Sequence, residues 1–495
     1  MRLRAALLAL WCLPLSAWAT PSLLEAARIN DAAVALQLLE EGADARERLA
    51  DGTTVLHWAA HWGSASLTQR LIKAGADVNA RNDYGSTPLQ EAAEVGDVAV
   101  IRSLLKAGAD VESANDEGQT ALMTVARTGL VEAAKLLINA HAKVNAVEKW
   151  RGQTALMWAA AQSNPDMVRL LIKSGAKVDT VSTVREWARK VTAEPRPQNR
   201  PPGGFTALLL AAREGCADCA RALVEGGAAI NLSDPDNITP LLMAILNARF
   251  DTAAYLIGAG ADVNHWDTWG RAPLYSAIDY NTTPRGGRPD RPSSDRITPL
   301  QVATMLLDRH ANPNMQLKLF PPYRSLGQDR GGDPMLTVGT TALIRAAKAG
   351  DTTAVKLLLE RGALVDLPNN LGVTPLMAAA GIGSTTLDIR ARFRNEALCL
   401  DTGKLLLKAG ADVNARRDNG QTALHGAAQW GWTQYARYLA QSGAALDVKD
   451  RNGATPLDIA MGRAGGTGRA GVAGAETHPE TAALLRELLS APPKS

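Results

Sequence analysis

The sequence is poor in aromatic residues and nearly balanced in charge, and each shortage excludes something. Phe, Trp and Tyr make up only 4% of the 495 residues, so a few large cores built on Phe and Tyr are not expected. The formal net charge is only +3, which argues against nucleic acid or an anionic membrane as the partner. Glycine, at 43 residues, is abundant beside alanine and leucine, and this composition favours many short, closely packed helices.

Motifs that carry catalysis are also missing. The sequence contains no P-loop, no H-E-x-x-H, no nucleophile elbow of the G-x-S-x-G type and no EF-hand loop. The seven histidines and four cysteines form no complete metal-ligand motif. We therefore expect a non-enzymatic protein that uses no cofactor and no metal.

The first 19 residues predict a secretory signal peptide. Two arginines precede an apolar run over residues 5–15, and residues 17–19 supply an A-x-A cleavage site. The run is shorter than the roughly 20 apolar residues that a spanning helix needs, so we expect no stable membrane insertion after cleavage. Removal of the leader leaves 51 basic and 50 acidic residues, a charge near +1. The leader is similar to those of Gram-negative bacteria, which implies the periplasm or secretion.

A nine-residue pattern recurs along the chain. It is found first as GTTVLHWAA and then as GSTPLQEAA, GQTALMTVA and GQTALMWAA, at steps of 33 or 34 residues. Each copy is followed, after a short gap, by a second signature such as RLIKAGADVNA. Repeats are expected to start near residues 22, 52, 85, 118, 152, 204, 237, 270, 339, 372, 420 and 453.

The two signatures together resemble the ankyrin repeat family. Thr54, at the third position, can cap the N-terminus of a first helix, and Gly63 can end that helix in a left-handed conformation. The resemblance implies an all-α fold, a right-handed curved solenoid of about twelve helix-turn-helix repeats with β-hairpin loops. This solenoid is expected over residues 20–490, with a tail at 491–495. The family uses the histidine at position 6, here His57 and His425, to bond the neighbouring hairpin.

Four insertions interrupt the period, at residues 184–203, 281–297, 312–338 and 381–398. The first and third follow a second helix, on the hairpin side, and the other two fall between the two helices of one repeat. The Pro-rich first insertion can be either a functional loop or a spacer. The third contains the aromatic residues Phe320 and Tyr323 and the basic residue Arg324. A spacer does not need such side chains, so we expect this insertion to shape a binding surface.

Aromatic residues also fall where the solenoid is expected to present a concave face. Counting from the repeat glycine, this face comprises positions 32, 33 and 2 at the hairpin tip and positions 10 and 11 of the first helix. The residues predicted there as partner-binding are His61, Trp62, Tyr84, Trp150, Trp269, Tyr280 and Trp430. Trp58 and Trp158, at position 7, are predicted to lie in the core. Exposed aromatic rings are typical of surfaces that bind proteins, whereas a ring folded over the neighbouring repeat would only add stability.

These rings are spread over most of the predicted solenoid, which favours a protein or peptide over a small ligand. Because the Trp62 and Trp430 rings are expected to touch solvent, replacing both with alanine is expected to cost little stability.

Cys216 and Cys219 form a C-x-x-C motif at the start of a second helix. Such a pair can be redox-active, can close as a disulfide in the periplasm, or can serve as a cap and a core thiol. The surrounding pattern is a repeat rather than a βαβ unit, which favours a structural role. Cys399 has the same register four repeats later, too far away to pair with Cys216.

The expected function is that of a scaffold or adaptor. The chain resembles secreted ankyrin repeat proteins of Gram-negative bacteria, and this implies a monomer that holds or protects a partner protein in the periplasm. Two alternatives stay open: a redox-active or redox-sensing protein that uses the C-x-x-C pair, and an effector exported beyond the periplasm.

Overall fold

The computed structural model describes residues 21–185, 189–191, 198–200, 203–282, 295–319, 337–382, 395–463 and 477–490. Within these residues it contains 24 α-helices and two β-strands. The chain divides into two compact units, unit 1 over residues 1–150 and unit 2 over residues 151–495. The predicted signal peptide, the C-terminal tail and the three side chains predicted in the third insertion lie outside the described residues.

Unit 1 is built from four pairs of helices. They are α1 (Leu23–Arg28), α2 (Ala32–Glu40), α3 (Val55–His61), α4 (Ala65–Lys73), α5 (Pro88–Val95), α6 (Val98–Lys106), α7 (Ala121–Thr128) and α8 (Val131–Asn139). The first helix of each pair packs on its second helix and on the first helices of the neighbouring pairs, and the second helices form another such row. This is a stack of repeats with two layers of helices.

Unit 2 continues the pattern with eight pairs. They are α9 (Ala155–Ala161), α10 (Pro165–Lys173), α11 (Ala207–Glu214), α12 (Ala217–Glu225), α13 (Pro240–Leu246), α14 (Phe250–Gly258), α15 (Pro273–Thr282), α16 (Pro299–Asp308), α17 (Ala342–Ala349), α18 (Thr352–Glu360), α19 (Pro375–Ala379), α20 (Glu396–Lys408), α21 (Ala423–Gln429), α22 (Thr433–Gln441), α23 (Pro456–Ala460) and α24 (Pro479–Ser490). With unit 1 this makes twelve helix pairs in the described residues, which confirms the predicted repeat number.

The capping chemistry explains where the helices begin and end. The Thr54 side chain accepts a hydrogen bond from the backbone N–H of His57 at the start of α3. Gly63, with φ +65°, follows α3 in the left-handed conformation that a Cβ would disfavour. Between these two caps Leu56 and Ala60 are fully buried, so the short first helix packs closely on its neighbours.

The side chain at position 6 joins neighbouring repeats, as the resemblance implied. His57 accepts a hydrogen bond at Nδ1 from the N-cap backbone N–H (3.2 Å) and donates through Nε2 to the Ser86 carbonyl (3.0 Å). Gln90 uses its amide in the same way and donates to the Gln119 carbonyl (2.8 Å). His425 repeats the arrangement in unit 2. The hydrogen bond depends on a side chain in one repeat and only on the backbone in the next.

The insertions differ in detail from their predicted bounds. Helix α15 extends to Thr282, and α20 begins at Glu396, so both helices run into segments predicted as insertions. Two antiparallel strands, β1 (Arg189–Val191) and β2 (Gln198–Arg200), lie inside the first insertion. Among the described residues, no helix combines the length and the apolar character that crossing a bilayer requires.

Candidate functional site

The surface predicted to bind a partner is best developed in unit 1. We call it the first-helix face of unit 1: the exposed sides and C-terminal ends of α1, α3, α5 and α7, with the hairpin tips at Tyr84, Glu117 and Trp150. Hydrogen bonds join neighbouring hairpins of the unit. The Lys149 N–H, for example, donates to the Glu117 carbonyl (2.8 Å). The fold therefore holds the tips in a row, one per repeat.

Trp62 lies at the C-terminal end of α3 and is 44% exposed. Its indole Nε1 donates to the Arg28 carbonyl at the end of α1 (3.3 Å), which holds the ring across the preceding repeat. The His61 ring packs edge-on against it, with centroids 5.1 Å apart. The exposure that the sequence predicts for Trp62 is present, and its binding role stays a prediction.

A polar and aromatic cluster surrounds His61. Its Nδ1 lies 3.0 Å from a carboxylate oxygen of Glu91 in the next repeat, and the Ser86 hydroxyl donates to the other oxygen of that carboxylate (2.7 Å). The Trp58 ring is edge-on to His61 at 5.8 Å. Trp58 is half-buried, as is Trp158 in unit 2, so the prediction that both lie in the core was wrong. Position 7 precedes positions 10 and 11 by about one helical turn and therefore shares their exposed side.

The two aromatic hairpin tips are the most exposed large apolar side chains of unit 1. Tyr84 is 70% exposed and Trp150 is 61% exposed. Asp51, at an earlier tip, accepts a hydrogen bond from the Thr53 N–H, and this bond lowers the pKa of its carboxyl. Carboxylates and rings thus stand side by side along the tips.

Sequence reasoning missed an apolar row at position 11. Ile29 is 58% exposed and Val95 is 47% exposed, and they occupy the position that Trp62 holds in the repeat between them. Counting from each repeat start would have found them. Three consecutive repeats of unit 1 thus present an exposed apolar side chain at the same position.

The prediction that Trp269 is an exposed aromatic tip in unit 2 was wrong. Trp269 is buried, with 1% of its surface exposed. The backbone N–H groups of Lys318 and Leu319 donate to its carbonyl (2.9 and 3.1 Å), so the following hairpin is bonded to this tip. The Arg271 guanidinium lies 5.1 Å from its ring and pairs with buried Asp267 (2.6 Å). The arginine at position 2, directly after the repeat glycine, was the sequence feature that could have indicated this burial.

Trp266, which the sequence analysis did not single out, is exposed instead. Its exposed fraction is 41%, and the Lys318 ammonium lies 3.8 Å from the centroid of its ring. Together with Met315, Leu317 and Val338 these residues line an open cavity of about 490 Å³.

Tyr280 and Trp430 are half-buried rather than fully presented to solvent. The Tyr280 hydroxyl donates to the Leu246 carbonyl (2.7 Å). The Trp430 indole donates to the Gly381 carbonyl (2.9 Å) and stacks on Trp432, with ring centroids 5.8 Å apart. Because the ring packs between neighbours, its removal is expected to cost more stability than that of an exposed ring, and the predicted small cost of replacing Trp62 and Trp430 together stays a prediction.

The C-x-x-C pair is closed as a disulfide in the structure. The two sulfurs are 2.11 Å apart, and the Cys216 sulfur also accepts the backbone N–H of Cys219 at the start of α12. Cys219 is fully buried. Cys399 is buried in α20 and bonds to neither of them. A closed pair with one sulfur in the core favours the structural role over redox exchange.

The described part of the chain contains no group of three or more His, Cys, Asp or Glu side chains arranged to hold a metal ion.

The charge of unit 1 differs in sign from that of the whole chain. Residues 21–150 contain 12 Lys and Arg against 18 Asp and Glu, a net charge of −6. On the first-helix face the Arg127 guanidinium pairs with Glu94 (2.7 Å). The first-helix face of unit 1 therefore presents aromatic rings and carboxylates to a partner.

A family model described as "Ankyrin repeats (3 copies)" matches residues 23–115, 101–182, 183–267, 208–284, 300–387 and 394–466. The "B-cell lymphoma 3 protein homolog" of Mus musculus is 34% identical over 174 residues, which cover 33% of this chain and 35% of that protein. The "Ankyrin repeat and KH domain-containing protein mask-1" of Caenorhabditis elegans is 37% identical over 122 residues, 24% of this chain and 4% of that protein.

Among solved structures, the human ASB11 ankyrin repeat domain matches with 21% identity and a TM-score of 0.41 over 49% of this chain and 99% of that one. The chain spans about a third or less of the length of the two curated relatives.

Proposed function

Because the chain belongs to the ankyrin repeat family, whose repeats generally bind other proteins, we propose that it is a non-enzymatic adaptor. Its partner is a protein or a peptide, held on the first-helix face of unit 1. Every helix pair in the described residues is accounted for by the repeat, and the disulfide lies within one repeat.

The observation that carries this proposal is the exposure of three aromatic rings in unit 1. Tyr84, Trp150 and Trp62 are 70%, 61% and 44% exposed. Tyr and Trp give a large contact area for few rotatable bonds and dominate the binding energy of protein interfaces. The apolar row at position 11 adds to that surface, whereas Trp269 of unit 2 is buried.

We further propose that the adaptor works in the periplasm as a monomer, after removal of residues 1–19. The support is the leader sequence, with its two arginines, its apolar run and its A-x-A site. Fractionation of a Gram-negative host that expresses the full chain tests this. Mature protein that begins at Thr20 in the periplasmic fraction supports the proposal, and an uncleaved chain in the cytoplasm contradicts it. Recovery from the medium would indicate the effector alternative.

Crosslinking in a periplasmic extract tests the binding surface. The wild-type chain is compared with a Tyr84→Ala/Trp150→Ala variant and with Trp266→Ala, which removes an exposed ring from unit 2. We expect defined crosslinked partners that disappear with the first variant and persist with the second. Identical partner sets from all three proteins would refute binding through the first-helix face of unit 1.

A further inference from the structure

We propose that Asn452 is a site of spontaneous chemical modification, at which the side-chain amide is lost and the main chain rearranges to isoaspartate. The residue precedes Gly453 in the hairpin before α23. The proposal goes beyond the adaptor function and does not depend on it. It comes from a comparison of two hairpins that contain the same dipeptide and hold it differently.

The sequence contains two Asn-Gly dipeptides, and both lie at a hairpin tip of unit 2. Asn419 precedes Gly420, the start of one repeat, and Asn452 precedes Gly453, the start of the next. Glycine has no side chain to shield its backbone nitrogen, so this nitrogen reaches the preceding side-chain amide more readily than that of any other residue. The dipeptide alone therefore gives the two asparagines the same reactivity.

The Asn419 side chain is held in place. Its Oδ1 accepts hydrogen bonds from Nε of the Arg417 guanidinium (2.7 Å) and from the Gln421 backbone N–H (3.1 Å). Its backbone carbonyl also accepts the Arg451 N–H of the following hairpin (2.8 Å). Rotation of the amide towards the nitrogen of Gly420 would break both side-chain bonds, so the structure opposes the reaction at this tip.

The Asn452 side chain is exposed and makes no hydrogen bond or ion pair among the described residues. The reason lies two residues earlier. Asp450 Oδ1 accepts the backbone N–H groups of Asn452 and Ala454 (2.9 and 3.0 Å), so the turn is closed without the asparagine amide. Arg417 holds the corresponding position in the other hairpin and has no acceptor atom, so Asn419 supplies the acceptor there.

The tip at Asn452 is also easier to open. In both hairpins the glycine N–H donates within the turn, from Gly420 to the Arg417 carbonyl (2.8 Å) and from Gly453 to the Asp450 carbonyl (2.9 Å). This bond must break before the nitrogen can react, and it slows both sites alike. In the described part of the chain, however, no later hairpin donates to the Asn452 carbonyl, so one restraint fewer holds this turn closed.

The reaction needs only water, and asparagine is among the thermolabile residues. The Gly453 nitrogen loses its proton and attacks Cγ of the Asn452 side chain. The new C–N bond closes a succinimide ring, and the amide nitrogen takes up a proton and leaves as ammonia. Water then opens the ring at one of its two carbonyls. One opening gives aspartate, and the other gives isoaspartate, in which the main chain runs through the former side chain.

Both products change the tip. Each places a carboxylate directly after Arg451, where a neutral amide stood. Isoaspartate also lengthens the main chain of the turn by one methylene group, which displaces the N–H of Ala454 from the Asp450 carboxylate that accepts it. The modification therefore alters both the charge and the hydrogen bonding of one hairpin and leaves the other as it was.

Mass spectrometry of the full chain, aged at mildly alkaline pH, tests the proposal. Cleavage after lysine gives a peptide over residues 450–494, in which Asn452 is the only side-chain amide, and a second over residues 409–449, which contains Asn419. Replacement of NH2 by OH raises the mass, and this gain is followed with time in both peptides. Labelling by a protein isoaspartate methyltransferase detects isoaspartate, which arises only through the succinimide.

Two further samples separate structure from sequence. The chain in denaturant is the matched control, because neither hairpin is folded there. Arg417→Asp supplies the acceptor that Asp450 provides in the other hairpin, and it thereby releases the Asn419 side chain. Far-UV circular dichroism checks that this variant is folded.

We expect Asn452 to react about tenfold faster than Asn419 in the folded chain, since two side-chain hydrogen bonds hold only Asn419. The two rates should agree within about twofold in denaturant, and Arg417→Asp should raise the rate at Asn419 about fivefold. Equal rates in the folded wild type would overturn the proposal. A preference for Asn452 that persists in denaturant would overturn it as well, because flanking residues and not the fold would then decide the rate. An Asn419 rate that Arg417→Asp leaves unchanged would contradict the protection by hydrogen bonds.

Discussion

At the scale of single residues, the aromatic side chains at position 11 each make the same kind of hydrogen bond to the preceding repeat. The polar atom of each ring donates to a carbonyl at the C-terminal end of the preceding first helix: Trp62 to Arg28, Tyr280 to Leu246, and Trp430 to Gly381. Helix ends leave carbonyls without intrahelical partners, so these rings join repeats as well as covering them. What differs among them is how far the neighbours bury each ring.

That difference predicts unequal costs of removal. Trp430→Ala should lower the free energy of unfolding by about 2–3 kcal/mol, because the stacking on Trp432 and the bond to Gly381 are lost together. Trp62→Ala, at a ring 44% exposed, should cost about 1 kcal/mol or less. Urea unfolding followed by circular dichroism measures both. Equal losses would contradict the burial of Trp430.

The buried histidines make stability depend on pH. Burial lowers the pKa of His57 and of His425 below the ordinary value of 6.5. As the pH falls below about 6.5 the unfolded chain therefore takes up these protons before the folded chain does, and stability is lost on the acidic side. The loss reaches at most about 1.4 kcal/mol per pH unit for each histidine.

His57→Gln tests this, because Gln90 makes the same bonds in the next repeat without a titratable group. We expect the variant to stay as stable as the wild type at pH 7.5 and to lose less stability at pH 5.5. Chemical unfolding at the two pH values gives the comparison. An unchanged pH dependence would show that other groups control it.

At the scale of elements, α20 carries a glycine in its interior for a packing reason. An added Cβ at Gly403 would collide with the buried hydroxyl of Tyr435 on α22. Gly403→Ala should therefore destabilise the protein by about 1–3 kcal/mol, although alanine is the better helix former. Gly258→Ala in α14 is the control, since nothing lies within 4 Å of its added Cβ. There we expect no loss and up to about 1 kcal/mol of gain, both read from thermal unfolding.

The disulfide at the start of α12 predicts how many free thiols the protein contains before and after reduction. Since Cys216 and Cys219 are joined, a chain that lacks residues 1–19 should show one reactive thiol in denaturant, that of Cys399, and three after reduction. Ellman's reagent measures both numbers. Reduction should cost about 2 kcal/mol or less, because the closed loop is so short. Three thiols without reductant would show an open pair and reopen the redox alternative.

At the scale of the whole molecule, residues 21–150 should fold without the rest of the chain. Unit 1 is compact and has four helix pairs, and about three repeats are enough to bury a shared core. The isolated fragment should unfold cooperatively in circular dichroism, although less stably than in the full chain. A fragment without a cooperative transition would contradict the division into two units.

The repeat pattern made most of the fold predictable, whereas the exposure of individual side chains was harder to predict. Thr54 and Gly63 act through their own backbone neighbourhood, so a local pattern suffices to place helix ends. Trp269 has the same register as the exposed tips, yet its ring is buried. Trp430 depends on Gly381, a residue 49 positions earlier. Exposure depends on neighbours that insertions rearrange, and a periodic pattern does not contain them.

The side chains at position 6 that join repeats bond to main-chain carbonyls, such as that of Ser86. Every residue type provides that acceptor, so this hydrogen bond makes no demand on the composition of the following repeat. Duplication or excision of a 33-residue module would leave this bond in place. The gene can therefore lengthen or shorten the array while the sequence of each module drifts towards a new specificity.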